Sequence, residues 1–214
     1  LLDNTQGIKL EDNFVNNILR NNFIERSPES AIYLIGDIAV LDNTLIEGNS
    51  ILQGKNGIYS IKGENTSLRN NFINKTYENA IYLDSSRNLI LENNTLVESN
   101  SGLYAKSYRN SNLAFHNNFI ENNQNVFLTG SSHNFTFNLE GEGNYWSDFN
   151  SASEGCQDIN LDGFCDGPYF FNHGVDYFPF VEENGWELSY TDTFFFDNQD
   201  PEFEIILGKW KKRI

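Results

Sequence analysis

Ala80-Ile81-Tyr82-Leu83 is the clearest copy of a four-residue segment that recurs along the chain. The related segments begin at residues 7, 31, 57, 80, 102 and 125, so successive copies lie 24, 26, 23, 22 and 23 residues apart. The residues alternate as in a short β-strand, and the sequence between the copies shows no helical periodicity. A repeat of this length built from short strands predicts a β-solenoid and excludes the helical solenoids.

Strand alternation predicts which side chains face the interior of each coil. The second and fourth residues of the segments then stack into two interior columns, Ile8, Ile32, Ile58, Ile81, Leu103 and Val126 in the first, and Leu10, Leu34, Leu83 and Leu128, interrupted by Ser60 and Ala105, in the second. The predicted fold is therefore an all-β solenoid, a parallel β-helix of about six coils with 22–26 residues each.

A second signature, rich in Asn, follows each strand: Asn22-Phe23-Ile24, Asn43-Thr44-Leu45, Asn71-Phe72-Ile73, Asn94-Thr95-Leu96 and Asn118-Phe119-Ile120. Asn occurs 33 times among the 214 residues. At a bend between strands, Asn tolerates a left-handed backbone, and its amide can bond the equivalent Asn one coil away. We therefore predict that this Asn column is structural and is not a binding site.

The chain is strongly acidic, with 30 Asp and Glu against 14 Lys and Arg and a net charge of −16. Nucleic acids and anionic lipids both require clustered basic residues, so this charge argues against either as the main partner. No apolar run approaches the ~20 residues of a membrane span, and no signal-peptide pattern is present. There is no Met, even at position 1, which predicts that chain precedes Leu1.

The pattern changes after the sixth coil. Gly143-Asn144-Tyr145-Trp146-Ser147-Asp148-Phe149 is followed by an Asp/Asn/Gly loop, Gly167-Pro168-Tyr169 and Asp176-Tyr177-Phe178-Pro179. Asn-rich coils with this closing segment resemble the NosD-like right-handed parallel β-helix proteins (PbH1 repeats), especially their archaeal cell-surface members. The resemblance covers roughly residues 7–182 and implies coils over 1–142 and a closing segment over 143–186. Copper, from which that family takes its name, is not supported by the residues, because there is no Met and only three scattered His.

The loop from Asp158 to Asp166 has the spacing of a calcium site. Calcium takes six to eight oxygen ligands, which alternate loop positions supply around a Gly at the sharp turn. The predicted ligands are the side chains of Asp158, Asn160, Asp162 and Asp166 and the backbone carbonyl of Phe164, with Asp148 or Asp176 completing the shell. Position twelve is Tyr169 where a helix-loop-helix calcium hand has Glu, which excludes that motif. The alternative is an acidic turn without an ion.

Cys156 and Cys165 bracket this loop, and their spacing matches no zinc motif. We predict a disulfide, which places the protein outside a reducing cytosol, in an extracellular or cell-surface location. Four N-glycosylation sequons point the same way; they begin at Asn65, Asn74, Asn93 and Asn134.

The remaining residues, 187–214, do not follow the coil pattern. Phe194-Phe195-Phe196 and the residues up to Trp210 resemble the opening of a golvesin-like β-sandwich module, so this stretch is the start of a further β module or an extended tail. Lys209, Lys211, Lys212 and Arg213 against Glu204 give residues 203–214 a local charge of +3. As a tail, it would suit an acidic neighbour.

Many β-helices act on polysaccharides, which makes a lyase, hydrolase or epimerase the alternative function. The candidate groups on the coils are Asp37, Asp84, Lys62, Lys106 and Arg109, and their offsets within the repeats are not equivalent. His116, next to the Asn column, is interpreted as a turn residue. No pair of facing carboxylates is evident. We therefore predict a non-catalytic surface or binding protein.

Outward-facing aromatic residues recur at the third position of the repeated segment: Tyr33, Tyr59, Tyr82, Tyr104 and Phe127. They predict an exposed aromatic stripe that binds glycans or a neighbouring protein, or that stabilises the sheet by stacking. Open strand edges at the coil ends predict multidomain architecture or self-assembly into an array or filament.

Overall fold

The computed structural model describes residues 1–11, 15–36, 41–106, 111–129, 135–188, 203–206 and 209–212. The strands of the coils are, in chain order, β1 (Gln6–Glu11), β2 (Ile18–Arg20), β3 (Phe23–Ile35), β4 (Leu41–Asp42), β5 (Leu45–Glu47), β6 (Ser50–Ile61), β7 (Gly63–Glu64), β8 (Ser67–Arg69), β9 (Phe72–Asp84), β10 (Ile90–Glu92), β11 (Thr95–Val97), β12 (Ser101–Lys106), β13 (Asn112–Phe115), β14 (Asn118–Ile120), β15 (Gln124–Thr129), β16 (Phe135–Thr136) and β17 (Tyr145–Trp146). Beyond them lie β18 (Tyr169–Phe171), β19 (Gly174–Asp176), α1 (Gly185–Leu188), β20 (Phe203–Ile206) and β21 (Lys209–Lys212).

The coils form a parallel β-solenoid, as the repeat predicts. It has about five turns where the repeat predicts about six coils, because six stacked rungs enclose five full turns. A nine-stranded sheet contains β1, β3, β6, β9, β12 and β15 as six successive rungs of one face, and a six-stranded sheet contains β2, β5, β8, β10, β13 and β16. All the strand pairs within these two sheets are parallel. Because the strands of each coil pair in parallel with those of the next coil, equivalent residues of successive repeats stack directly.

The two interior columns form in the predicted register. Ile32, Ile58, Ile81 and Leu103 align rung by rung and have no solvent exposure. Ser60 and Ala105 occupy the second column between leucines and are also buried. Ile8 and Leu10, on the first rung, pack against this core and are only partly buried.

At the bends of the coil, the left-handed backbone and the amide ladder belong to two adjacent residues, whereas the sequence pattern predicts both for one Asn. A residue with positive φ precedes the ladder position, for example Asn70 at 53° and Asn93 at 56°. The next residue forms the ladder, which runs through Asn22, Asn49, Asn71, Asn94, Asn117 and Asn144. The amide ladder thus includes Asn22, Asn71 and Asn94 of the predicted column but not Asn43 or Asn118. Asn43 has positive φ at a different bend, and Asn118 lies one residue past the ladder.

The closing segment begins within the last rung. β17 pairs with β14, so the parallel sheet continues past the predicted boundary at residues 142 and 143. The Trp146 ring stacks on Phe119 at 4.4 Å and is fully buried, and Tyr169 and Phe171 of the antiparallel β18–β19 hairpin pack against it. These rings cover the end of the core. Further along, β20 and β21 form an antiparallel pair, and the predicted golvesin-like start at Phe194 lies outside the described residues.

Candidate functional site

The predicted aromatic stripe is a continuous stack of rings along the outer face of the nine-stranded sheet. Tyr33, Tyr59, Tyr82 and Tyr104 lie with ring centroids 5.3, 4.4 and 5.3 Å apart and interplanar angles of 14° or less. Phe127 follows at 5.1 Å with a tilt of 40°. All five side chains are half-buried, and burial raises the pKa of Tyr59 to about 12.

Stacking decides what this surface offers to a ligand. The faces of the central rings are covered by their neighbours, so Tyr59 and Tyr82 present edges and hydroxyl groups to solvent. At the first ring, the Lys9 ammonium lies 5.7 Å from the Tyr33 centroid. A sugar that packs against an aromatic face therefore does not find a free one along the middle of the stack.

Two grooves run beside the last rungs of this stack. The first has a volume of about 350 Å³ and is lined by rings and polar side chains, namely Glu78, Asn79, Tyr82, Asn100, Ser101, Tyr104, Gln124 and Phe127. The second has about 510 Å³ and is lined by Thr76, Tyr77, Glu98, Ser99, Asn100, Glu121 and Asn123. Asn100 lines both grooves, which makes them neighbours on the surface.

Charged side chains on the coils pair from rung to rung. Ion pairs join adjacent coils in Arg20–Glu47, Lys55–Glu78, Arg69–Glu92, Lys75–Glu98, Arg87–Glu64 and Lys106–Asp84. Most of these side chains are exposed, so each pair contributes at most about 1 kcal/mol. Their regular placement follows from the stacking of equivalent positions in successive repeats.

The candidate catalytic groups that the structure describes do not converge. Asp84 lies 3.0 Å from the Lys106 ammonium, and the Tyr82 hydroxyl and the Asp84 carboxylate raise the pKa of Lys106. His116 is engaged elsewhere, with its Nε2 2.6 Å from Glu142 and its ring stacked on Trp186. Lys62 occupies a bend with positive φ. Asp37 and Arg109 lie outside the described residues.

The side chains of the predicted calcium loop hydrogen-bond to the backbone of the same loop. The Asp158 carboxylate accepts hydrogen bonds from the backbone N–H groups of Asp162 (3.1 Å) and Gly163 (3.0 Å). The Asn160 amide donates a hydrogen bond to the Asp162 carboxylate at 2.8 Å, and Asp162 also accepts a hydrogen bond from the Phe164 N–H group. Gly163 has φ +89°, a left-handed value that favours glycine at this turn.

One end of the loop is fixed to the other. A disulfide joins Cys156 and Cys165, as predicted, and Asp166 accepts a hydrogen bond from the Ile159 N–H group at 2.9 Å. The two side chains proposed to complete the calcium shell bind other partners. Asp148 accepts hydrogen bonds from the Tyr169 hydroxyl and from Asn125.

Asp176, the other proposed ligand, terminates the Asn ladder. Its fully buried carboxylate accepts from the Asn144 N–H group (2.7 Å), Trp146 Nε1 (3.0 Å) and the Phe178 N–H group (3.1 Å). Burial raises the pKa of Asp176 to about 6, and these hydrogen bonds oppose the shift. Sequence reasoning missed this role. The only signal was the pairing of Gly143-Asn144-Tyr145-Trp146 with a later Asp-Tyr-Phe-Pro.

Three of the four sequons lie in the described residues. Asn65 is exposed at a bend with φ 50°, whereas Asn74 and Asn93 are half-buried. Asn134 lies outside the described residues. Among these three, Asn65 is therefore the most accessible acceptor.

Residues 1–151 match the family described as "Periplasmic copper-binding protein (NosD)". The chain belongs to the NosD family. That description places the family in the periplasm, and among the described residues no helix is both long enough and apolar enough to cross a membrane. No curated protein matches the chain.

The Cys and His side chains that the structure describes in this NosD-family chain do not fit copper. Both Cys form the disulfide, His116 contacts Glu142, and the His173 ring is 3.1 Å from the Leu128 carbonyl. Across the described ranges, no three His, Cys, Asp or Glu side chains are grouped so as to hold a metal ion. Copper prefers the soft and imidazole donors that are engaged here.

Proposed function

We propose that this NosD-family chain is a non-catalytic β-helix rod, located outside the cytoplasm, that binds a glycan or a neighbouring protein along one sheet face. The observation that carries the proposal is the row of half-buried rings from Tyr33 to Phe127 with grooves beside it. This is the longest outward aromatic surface on the described coils. The disulfide fits an oxidising location.

A carbohydrate-active enzyme of the same fold is the second candidate. Glu98 and Glu121 line one groove on adjacent rungs, and paired carboxylates are what glycoside hydrolysis requires. Both side chains are largely exposed, and Glu98 lies 3.5 Å from the Lys75 ammonium. Catalytic acids more often lie in a desolvated site that tunes their proton affinity, so binding without turnover is favoured.

We propose further that the loop from Asp158 to Asp166 binds calcium. The hydrogen bonds from Asp162 and Gly163 to Asp158 support this, because they fold the loop into a tight turn that carries four oxygen-bearing side chains. The three carboxylates are not grouped as metal ligands in the structure, so an ion would replace some of these hydrogen bonds. Asp158, Asn160, Asp162 and Asp166 would hold the ion with the Phe164 carbonyl, and water would complete the shell, because Asp148 and Asp176 are engaged. Bound calcium would neutralise this acidic turn and brace it.

A binding assay combined with a turnover assay tests the proposed function. Tyr59→Ser with Tyr82→Ser is compared with wild type for folding by circular dichroism, for sedimentation, and for glycan-array binding. We expect a folded double variant with reduced binding or association. The same glycans incubated with wild type are expected to yield no new reducing ends. Unchanged binding and association would reduce the stack to a structural role, and turnover would favour the enzyme.

A further inference from the structure

We infer that the groove beside the last three rings of the stack is a site for an uncharged oligosaccharide, which narrows the proposed binding function and rests on it. The groove lies against Tyr82, Tyr104 and Phe127 and has a volume of about 350 Å³. That volume is within the range of about 300–1,000 Å³ typical of small-molecule sites. It would hold a few sugar units at most.

The arrangement of the rings favours this end of the stack over the middle. Tyr33 to Tyr104 are nearly parallel, whereas Phe127 is tilted by 40° to Tyr104. The tilt opens a wedge between the last two rings, and both of them line the groove. The apolar face of a pyranose can pack against such an inclined ring. A cation lies over a ring in both regions of the stack: Lys9 over Tyr33, and Lys106, which pairs with Asp84, 5.8 Å from the Tyr82 centroid.

Amide side chains supply the polar part of the groove. Gln124 and Asn100 are exposed on its wall, and each amide offers a donor group and an acceptor, which suits neighbouring sugar hydroxyls. Asn79 is nearly buried and donates to Asn56 at 2.8 Å, so it stiffens the floor. Rings on one side and amides on the other match the two faces of a sugar.

Charge decides the class of sugar. Glu78 lines the groove, and Glu98 and Glu121 line the neighbouring one that shares Asn100. Lys55 and Lys75 pair with Glu78 and Glu98, so among these groups Glu121 supplies the net negative charge, on a chain of net charge −16. Uronic acids and sulfated sugars would be repelled. Neutral hexoses and N-acetylhexosamines would not.

The chain offers matched controls for both parts of the site. Gln6 is in register with Gln124, since the column runs Gln6, Ser30, Asn56, Asn79, Ser101, Gln124. Gln6→Ala therefore removes the same amide at the other end of the rod. Phe72→Leu likewise controls for Phe127→Leu, because Phe72 is an exposed ring on the same coils that lies outside the stack.

The experiment is isothermal titration of each folded protein with cellotetraose, chitotetraose and tetragalacturonate, with folding checked by thermal melting. We expect wild type to bind at least one neutral tetramer more tightly than tetragalacturonate. Gln124→Ala and Phe127→Leu should each raise its Kd about tenfold, roughly the loss of one good contact, while Gln6→Ala and Phe72→Leu leave it unchanged.

Three results would overturn the inference: no binding of either neutral tetramer, tighter binding of tetragalacturonate, or equal weakening by the groove variants and their controls. The last would leave glycan binding standing at another place on the rod. Turnover of a bound tetramer, measured as new reducing ends, would instead refute the non-catalytic function and leave the groove assignment intact.

Discussion

Asn94→Asp is expected to be among the most damaging isosteric changes in the coils. Asn94 is fully buried in the middle of the ladder. Its Oδ1 accepts from the N–H and Nδ2 groups of Asn71, and its Nδ2 donates to Asn117 Oδ1 (2.9 Å) and to the Leu68 carbonyl (2.8 Å). A carboxylate keeps the accepting half and loses both donations. The buried Leu68 carbonyl oxygen and Asn117 Oδ1 would then lie against a charged carboxylate oxygen.

The expected magnitude follows from these contacts. Each lost hydrogen bond costs about 1–1.5 kcal/mol, and a buried charge facing acceptors brings the total to about 3–5 kcal/mol at pH 7. Burial would raise the pKa of the new carboxyl, and its protonated form can donate once. The difference from wild type should therefore shrink as the pH falls towards 4.

Urea denaturation followed by circular dichroism at pH 7 and pH 4 measures this difference. Asn123→Asp is the matched control, because Asn123 also donates to an Asn of the adjacent coil, Asn100, at 3.3 Å, but on the exposed surface. It should cost less than about 0.5 kcal/mol. A cost below about 1 kcal/mol for Asn94→Asp at pH 7, or one no larger than that of the control, would refute the ladder as a source of stability.

Three further predictions concern the closing segment. Calcium should raise the melting temperature of wild type and not that of Asp162→Ala; an equal response of both proteins would contradict the calcium site. The pKa of Asp176 rises from 3.8 to about 6 on folding, so its contribution to stability is fully present below about pH 3.8 and is lost as the pH rises through 6. In urea titrations, wild type should lose on the order of 3 kcal/mol of stability across this window relative to Asp176→Asn. Parallel pH profiles of the two proteins would contradict this prediction. Gly143→Ala should unfold at clearly lower urea, because its Cβ would lie 2.1 Å from Asp176 Oδ1, whereas Gly167→Ala, with open space around it, should have little effect.

The residues of the enclosed core could be predicted from sequence because they recur at fixed positions within each coil. Side chains alternate along a strand, and each coil of a solenoid repeats the same trace one strand spacing further on. The alignment of Ile32, Ile58 and Ile81 follows from those two facts, and the structure confirms it. The outward position of Tyr59 follows equally. The Cys pair is close in sequence, and its closure needed no knowledge of the fold.

The Asn ladder shows where the sequence alone runs out. Several Asn lie near each bend, and the one that joins the ladder is chosen by where its neighbours on adjacent coils place their amides. Asn117 and not Asn118 is that residue, because only Asn117 bonds both Asn94 and Asn144. A one-residue difference of this kind is invisible to a repeat pattern that tolerates 22 to 26 residues per coil.

The sequence by itself determined the repeat, the interior columns, the outward aromatic row and the disulfide loop, because each depends on spacing within a coil or between neighbouring coils. Only the tertiary structure decided what those features offer. It turned the rings of Tyr59 and Tyr82 face to face, so that edges meet solvent. It also brought Asp176 to the end of the ladder, 32 residues beyond Asn144. Both outcomes depend on packing and hydrogen bonding between distant segments, which local periodicity does not encode.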